Sequence, residues 1–303
     1  MKIITLTLSP AIDIEYHTKS VNHAGLNRTY SHTVSAGGKG INVSRVIEHL
    51  LRRRIMLPEF VELKTVAPVG GETGKMLAGI LESEHLPLTA VEIEENTRTN
   101  VSLIPDEGDE IEINAPGTPV GEKLGEIEKA VTDDLSSSDV VVIAGSCPSD
   151  VPKSYPAELC AKIRAKGAVC VLDCDGEALE IAVHSDCPPD IIKPNDRELS
   201  SLVKRELTTM QEISQAAESL TVPTVITTMA GDGAIITREV NDYRASTFVP
   251  TVKRKVVRLK GAGDTFLGAF VYAKFAMRMN DIGAMEFASE VAGDYVAGDG
   301  EKE

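Results

Sequence analysis

Short apolar runs recur along this chain with helix-like segments between them, and that alternation restricts the fold more than any other feature. "IITLTL", "DVVVIAG", "AVCVLD", "DIIKPN", "PTVITT" and "GAIIT" are each rich in branched aliphatic residues and bounded by turn residues, the character of strands covered on both faces. Helical periodicity runs from about Lys39 to Arg53, where Ile41, Val43, Val46, Ile47 and Leu50 share a face. It returns near 152–166, 175–184, 195–204 and 209–219. Such alternation predicts a mostly parallel sheet with helices on both faces. The length of 303 residues suits one large α/β domain or two smaller ones.

Two segments break the rhythm. Residues 12–35 and 96–114 alternate polar and apolar side chains without helical period, and the second carries a hairpin turn at "DEGDE". They predict a small antiparallel sheet that projects from the main one. Because they are inserted rather than terminal, they read as a lid.

The formal charge of -15 excludes a general nucleic-acid or anionic-membrane binder, which recruits phosphates with a basic surface. Any phosphate site must be local. No apolar segment approaches the roughly 20 residues that cross a bilayer, and Asp13 and Glu15 follow the first apolar run too closely for a signal peptide. Cys147, Cys160, Cys170, Cys174 and Cys187 form an odd set without a C-x-x-C pair. They read as reduced thiols of a cytoplasmic protein.

Three glycine-rich or capping segments carry candidate chemistry. In "LKGAGDTFLGAF", Gly261, Ala262 and Gly263 let backbone N–H groups approach an anion where an apolar helix begins. Asp264 beside them is placed to take a proton from a hydroxyl attacking phosphorus; the same residues also make an ordinary turn and helix cap. "SAGGKGINVSRV" repeats the design, with Gly38 in a turn and Lys39 and Asn42 able to reach one polyhydroxylated ligand; the same residues also make an ordinary turn with a surface Lys. In "IIKPNDREL", Asn195 and Glu198 form either a capping box or, through water, a contact to Mg²⁺, which keeps most of its hydration shell. Asp13 of "SPAID" stands just past the first strand, where open α/β sheets bind ligands. Arg98 of "TRTN" offers a guanidinium on the lid. "VGGETGKM" lacks the first Gly and the Ser/Thr of a Walker loop, and "GAGDTFLG" is not a dinucleotide fingerprint.

In order, "SPAID", "AGGKGINVSR", "TRTN", "GSCP", "IIKPNDREL", "TTMAGDGA" and "GAGDTFLGAF" resemble the ribokinase-like carbohydrate kinases, in their 1-phosphofructokinase and tagatose-6-phosphate kinase branch. The resemblance implies one three-layer αβα domain over residues 1–303 with a β-lid that often also makes a homodimer. It implies ATP and Mg²⁺ as cofactors and a sugar phosphate as substrate. Asp264 would be the base and Gly261, Ala262 and Gly263 the anion hole. Asp13, Gly38, Lys39 and Asn42 would hold the sugar; Arg98, with Lys39 and Ser146, would clamp the phosphate it already carries. Lys193, Thr227, Gly231 and Gly233 would line the nucleotide, and Asn195 and Glu198 would be linked to the metal. Fructose 1-phosphate at C6 is the expected acceptor, with tagatose 6-phosphate at C1 as its rival and a catalytically silent sugar-phosphate sensor as the reading from another class.

This chain departs from that branch at Leu259 and Lys260, where a small or hydroxyl residue and then Val or Thr usually precede the Gly-Ala-Gly-Asp motif. Lys253, Arg254, Lys255, Arg258 and Lys260 are read as a mostly solvated strand face, with Lys260 close enough to touch a nucleotide phosphate.

Overall fold

The computed structural model describes residues 1–53 and 60–298. The acidic "GDGEKE" tail, which the sequence reads as a frayed end, lies outside that range from Asp299 on. In chain order the strands are β1 (Lys2–Leu6), β2 (Ala11–Thr18), β3 (Ser31–Gly37), β4 (Glu62–Gly70), β5 (Leu88–Ile93), β6 (Arg98–Pro105) and β7 (Ile111–Ile113). There follow β8 (Val140–Ala144), β9 (Val169–Asp173), β10 (Ile191–Ile192), β11 (Thr224–Thr228), β12 (Gly233–Val240) and β13 (Tyr243–Pro250). Among the described residues, a nine-stranded sheet has the order β13-β12-β11-β10-β9-β8-β1-β4-β5. Its seven strands from β11 to β5 are parallel, and β12 and β13 close one edge antiparallel.

The continuous apolar runs bury both faces of each strand. In β8, Val141 and Ile143 enter one core while Val140, Val142 and Ala144 enter the other. Helices α3 (Leu124–Thr132), α4 (Tyr155–Ala165), α5 (Gly176–Val183), α6 (Asp196–Leu202) and α7 (Met210–Glu218) pack on the first face. Helices α1 (Lys39–Arg52), α2 (Gly71–Ser83), α8 (Ala262–Val271) and α9 (Asp281–Ala297) pack on the second. Helix α1 sends Ile41, Val43, Ile47 and Leu50 into that core, each burial being worth about 1.5–3 kcal/mol. Helices α2 and α3 fall outside the stretches that periodicity picks out; α2 begins on the very segment that mimics a Walker loop.

Strand β1 pairs with β4 on one side and β8 on the other, so the connections run outward in both directions from this point. The carboxyl ends of the strands here form the crevice where such sheets bind ligands. Over it stands a second sheet of order β3-β2-β6-β7, built from the two segments that broke the rhythm. Each hairpin is antiparallel, and the two hairpins meet where β2 runs parallel to β6.

Two expectations change. The basic run 253–260 is a loop after β13 and not a strand face. The strand expected in "DIIKPN" shrinks to Ile191–Ile192, because Pro194 has no N–H with which to extend the ladder.

Candidate active site

Helix α8 starts from Gly261, whose φ of 86° lies in the left-handed region. The first intrahelical bond runs from Thr265 N–H to the Gly261 carbonyl at 2.9 Å. The N–H groups of Gly263 and Asp264 therefore lie outside the helical ladder and point from a positive helix end. Ala262 differs: its N–H closes the turn onto the Leu259 carbonyl at 3.1 Å. Of the three small residues expected to cradle an anion, Ala262 is thus committed to the turn, whereas the Gly263 donor lies outside both turn and helix, and Asp264 adds its own.

The Asp264 side chain is buried at 8% exposure. Its Oδ2 accepts from Asn42 Nδ2 at 2.8 Å, since Gly38, at φ 132°, starts α1 so that the first turn faces α8. Burial raises the Asp264 pKa above the ordinary value; the Asn42 hydrogen bond opposes this, the nearby Asp173 carboxylate adds to it, and Lys193 and Lys39 oppose it. Asp173 closes β9 at 1% exposure, with Lys193 Nζ 3.3 Å from Oδ2 and Lys39 Nζ 3.7 Å from Oδ1. Neither of its oxygens has a hydrogen-bond partner. For Lys39, burial acts to lower the pKa, but Asp173, Glu198 and Asp264 together raise it. Two cations and two carboxylates thus meet below the first turn of α8.

On the lid side, Asp13 and Asn100 are register partners in β2 and β6, and Asn100 Nδ2 donates to Asp13 Oδ1 at 2.8 Å. A Cβ on Gly37 would lie 2.1 Å from Asp13 Oδ2, so the missing side chain makes room for this carboxylate. Burial raises the Asp13 pKa, against the Asn100 bond and the charges of Lys260 and Arg98. Arg98 donates from Nη1 to the Ala115 carbonyl at 2.8 Å and from Nη2 to the Ser9 carbonyl at 3.0 Å, while its buried Nε has no partner.

On the other side of the turn lies a cleft of about 740 Å³. Ala262 and Gly263 form one end, Asn195, Gly231 and Gly233 a polar wall, and Val256, Leu259 and Val296 an apolar wall. A buried carboxylate thus stands where main-chain donors, a nucleotide-sized cleft and a polar lid converge. Residues 7–298 match the pattern of the pfkB family carbohydrate kinases.

The chain belongs to that family. Like its relatives, this kinase transfers a phosphoryl group to a sugar hydroxyl. It is 35% identical over 277 residues to the 1-phosphofructokinase of Bacillus subtilis, across 89% of this chain and 84% of the relative. It is 30% identical over 275 residues to the ATP-dependent 6-phosphofructokinase isozyme 2 of Escherichia coli, with the same coverage of 89% and 84%. The crystal structure of Escherichia coli phosphofructokinase-2 in complex with fructose-6-phosphate superposes with a TM-score of 0.86 at 28% identity, covering 99% of this chain and 97% of that one. The activity is that of a sugar-phosphate kinase of the phosphofructokinase type.

Asp13 lies past β1, as expected, and within β2 of the smaller sheet. Several residues of the kinase sit differently from their sequence expectation. Thr227 is fully buried, and Thr228 is the position that lines the cleft. Lys260 turns away from the cleft to the lid, 3.1 Å from Glu112. Ser146 is exposed on the segment after β8. Asn195 and Glu198 make a full capping box on α6, Asn195 Oδ1 accepting from the Glu198 N–H and Glu198 Oε2 from the Asn195 N–H, both at 2.8 Å.

That box uses only Oε2 of Glu198, so its Oε1 could accept from the water of a hydrated cation. Among the described residues no three His, Cys, Asp or Glu side chains form a cage, and Mg²⁺ on substrate phosphates needs only one or two carboxylates. Asp173 belongs to none of the sequence motifs; the one local signal for it is an Asp at the carboxyl end of "AVCVLD", where such sheets bind ligands.

Proposed function

We propose that this kinase phosphorylates the C6 hydroxyl of fructose 1-phosphate with ATP and Mg²⁺, forming fructose 1,6-bisphosphate and ADP. The observation that carries the reading is the position of Asp264, buried next to Gly263 at the end of the cleft and bonded to Asn42. The acceptor hydroxyl loses its proton to Asp264 as its oxygen bonds to the γ-phosphorus and the bond to ADP breaks. Gly263 and Asp264 N–H, with the helix end behind them, receive the charge on the transferring oxygens. Lys39 and Lys193 offset the negative charge that gathers there. Glu198 and Asn195 would hold Mg²⁺ through water, and it would supply charge neutralisation to the phosphates.

Asp13 and Asn42 hold sugar hydroxyls in this reading, with Gly37 giving Asp13 room and Gly38 turning the chain into α1. Ser146 and Arg98 hold the phosphate already on the substrate, while Lys39, beside Asp173, stays at the transferred one. Lys193, Gly231 and Gly233 border the nucleotide. The homodimer through the lid and the cytoplasmic location belong to the same proposal; a tetrameric inhibited form is known of Escherichia coli phosphofructokinase-2, and no helix among the described residues is long and apolar enough to cross a membrane.

The Escherichia coli relative's name favours fructose 6-phosphate as a second acceptor, and a ketohexose phosphate can present either end. A coupled ADP-release screen of fructose 1-phosphate, fructose 6-phosphate, tagatose 6-phosphate and free hexoses decides among them. Fructose 1-phosphate is expected to give the highest kcat/KM. ADP release with none of the sugar phosphates, despite binding of one, returns the protein to a sensor.

A further inference from the structure

Asn42 touches the base, but its own orientation is imposed from farther out. Arg45 lies one turn along α1 and donates from Nη1 to Asn42 Oδ1 at 2.8 Å. Its Nε donates to Glu84 Oε2 at 2.9 Å, and its Nη2 to Glu84 Oε1 at 3.2 Å and to the Ala36 carbonyl at 2.9 Å. Glu84 caps the C-terminus of α2 and Ala36 lies in β3. The guanidinium is therefore anchored on two elements that take no part in α8.

The chemistry of the four groups admits one arrangement. A carboxylate only accepts and a guanidinium only donates, so an amide between them must turn its NH₂ to the carboxylate and its oxygen to the guanidinium. The reversed amide sets oxygen against oxygen at Asp264 and N–H against N–H at Arg45. We propose that Arg45, held by Glu84 and the Ala36 carbonyl, is a positioning residue of the kinase reaction. It locks the Asn42 amide so that Nδ2 holds Asp264 Oδ2 and leaves the other carboxylate oxygen to the acceptor hydroxyl. The role rests on Asp264 as the base. A misplacement of a base by a fraction of an ångström costs rate rather than affinity for the nucleotide.

The test compares wild type, Arg45→Met, Arg45→Lys, Glu84→Gln, Asn42→Ala and the Asn42→Ala/Arg45→Met double variant. Its first readout needs no substrate: solvent exchange of the Asn42 side-chain NH₂ protons by NMR in the ligand-free protein, assigned by their loss in Asn42→Ala. Exchange is expected to be about tenfold faster in Arg45→Met, with smaller increases in Glu84→Gln and Arg45→Lys.

In turnover, Arg45→Met lowers kcat about tenfold with the KM for ATP unchanged. Adding it to Asn42→Ala costs less than about twofold more, because the effect runs through the amide that is already gone. Unchanged amide exchange, or kcat losses that multiply in the double variant, overturns the proposal. If Arg45→Met does not fold, Glu84→Gln carries both readouts, and wild-type exchange in that folded variant overturns it equally. Wild-type protein that turns over no sugar phosphate refutes the functional reading instead, while the amide measurement still decides the geometry.

Discussion

Lys260 leaves the turn before α8 and reaches the smaller sheet, where its Nζ lies 3.1 Å from Glu112 Oε1 and 3.4 Å from Ser102 Oγ. Its main chain is meanwhile pinned, the Tyr295 hydroxyl donating to the Lys260 carbonyl at 2.9 Å. One residue thus ties the turn that precedes Asp264 to strands β6 and β7 of the smaller sheet. Both side chains are about half exposed, and pairs of that kind are worth about 0.2–1 kcal/mol. Such a tie is strong enough to bias the lid and weak enough to release it.

Lys260→Met is therefore expected to leave thermal stability almost unchanged while loosening the lid. The prediction is a KM for the sugar phosphate raised about threefold and more ATP hydrolysed per sugar phosphorylated, as water enters a less closed site. Paired assays of ADP and sugar bisphosphate check it. An unchanged ratio of the two products would show that the lid closes without this contact.

Asp264→Asn keeps the volume of the side chain and removes its capacity to accept a proton. We predict a fall in kcat of about 10²–10⁴, with both KM values within a few-fold of wild type. Near-normal turnover in the ADP-release assay would reduce Asp264 to a helix-capping role.

The pH dependence follows from the raised pKa of Asp264, for which burial is the main cause. Catalysis needs the ionised base, so kcat/KM should fall with decreasing pH at a higher pH than for a solvated aspartate. Stability runs the other way. Between the ordinary and the raised pKa the folded state holds more protons than the unfolded one, so this group's contribution to stability falls as pH rises through that window. Asp264→Asn is accordingly more heat-stable than wild type at neutral pH, and the gain shrinks as pH drops through the folded pKa. Thermal scans of both proteins from about pH 4 to 8 measure this; a gain independent of pH contradicts the assignment.

Gly261 and Gly263 should respond differently to alanine. At Gly261 the left-handed φ adds about 1–2 kcal/mol of strain, and the new Cβ would meet Tyr295 Oη at 2.6 Å, breaking its bond to Lys260. At Gly263 the Cβ would meet Lys193 Nζ at 3.7 Å, an ordinary contact. Gly261→Ala is expected to lower both Tm and kcat, whereas Gly263→Ala lowers kcat at nearly constant Tm by crowding the phosphate path. Equal Tm values for the two variants would argue against the role given to the turn.

Much of the molecule was legible before any coordinate. Continuous apolar runs such as "DVVVIAG" disclose strands buried on both faces because nothing else hides five consecutive aliphatic side chains. The periodicity of Ile41, Val43, Ile47 and Leu50 discloses α1 for the same reason. Asn195 and Glu198, three residues apart, were legible as a capping box because both partners are local. Arg45 and Asp173 were not: the value of each comes from neighbours far away in the chain, Glu84 for one and Lys193 with Lys39 for the other. The fate of the basic run was equally hidden, since Arg254 pairs with Asp294 and Lys260 with Glu112, and neither partner lies in its own segment.

By itself the sequence determined the kind of elements, the order of the motifs and the family, because hydrophobic period, turn chemistry and glycine placement act over a few residues. Only the tertiary structure decided that Ala262 closes a turn while Gly263 keeps its donor, that Thr228 rather than Thr227 lines the cleft, and that Lys260 serves the lid. Direction in space is the reason. Whether a side chain faces core, cleft or lid depends on the twist and pairing of strands that are distant in sequence, and a difference of one residue reverses it.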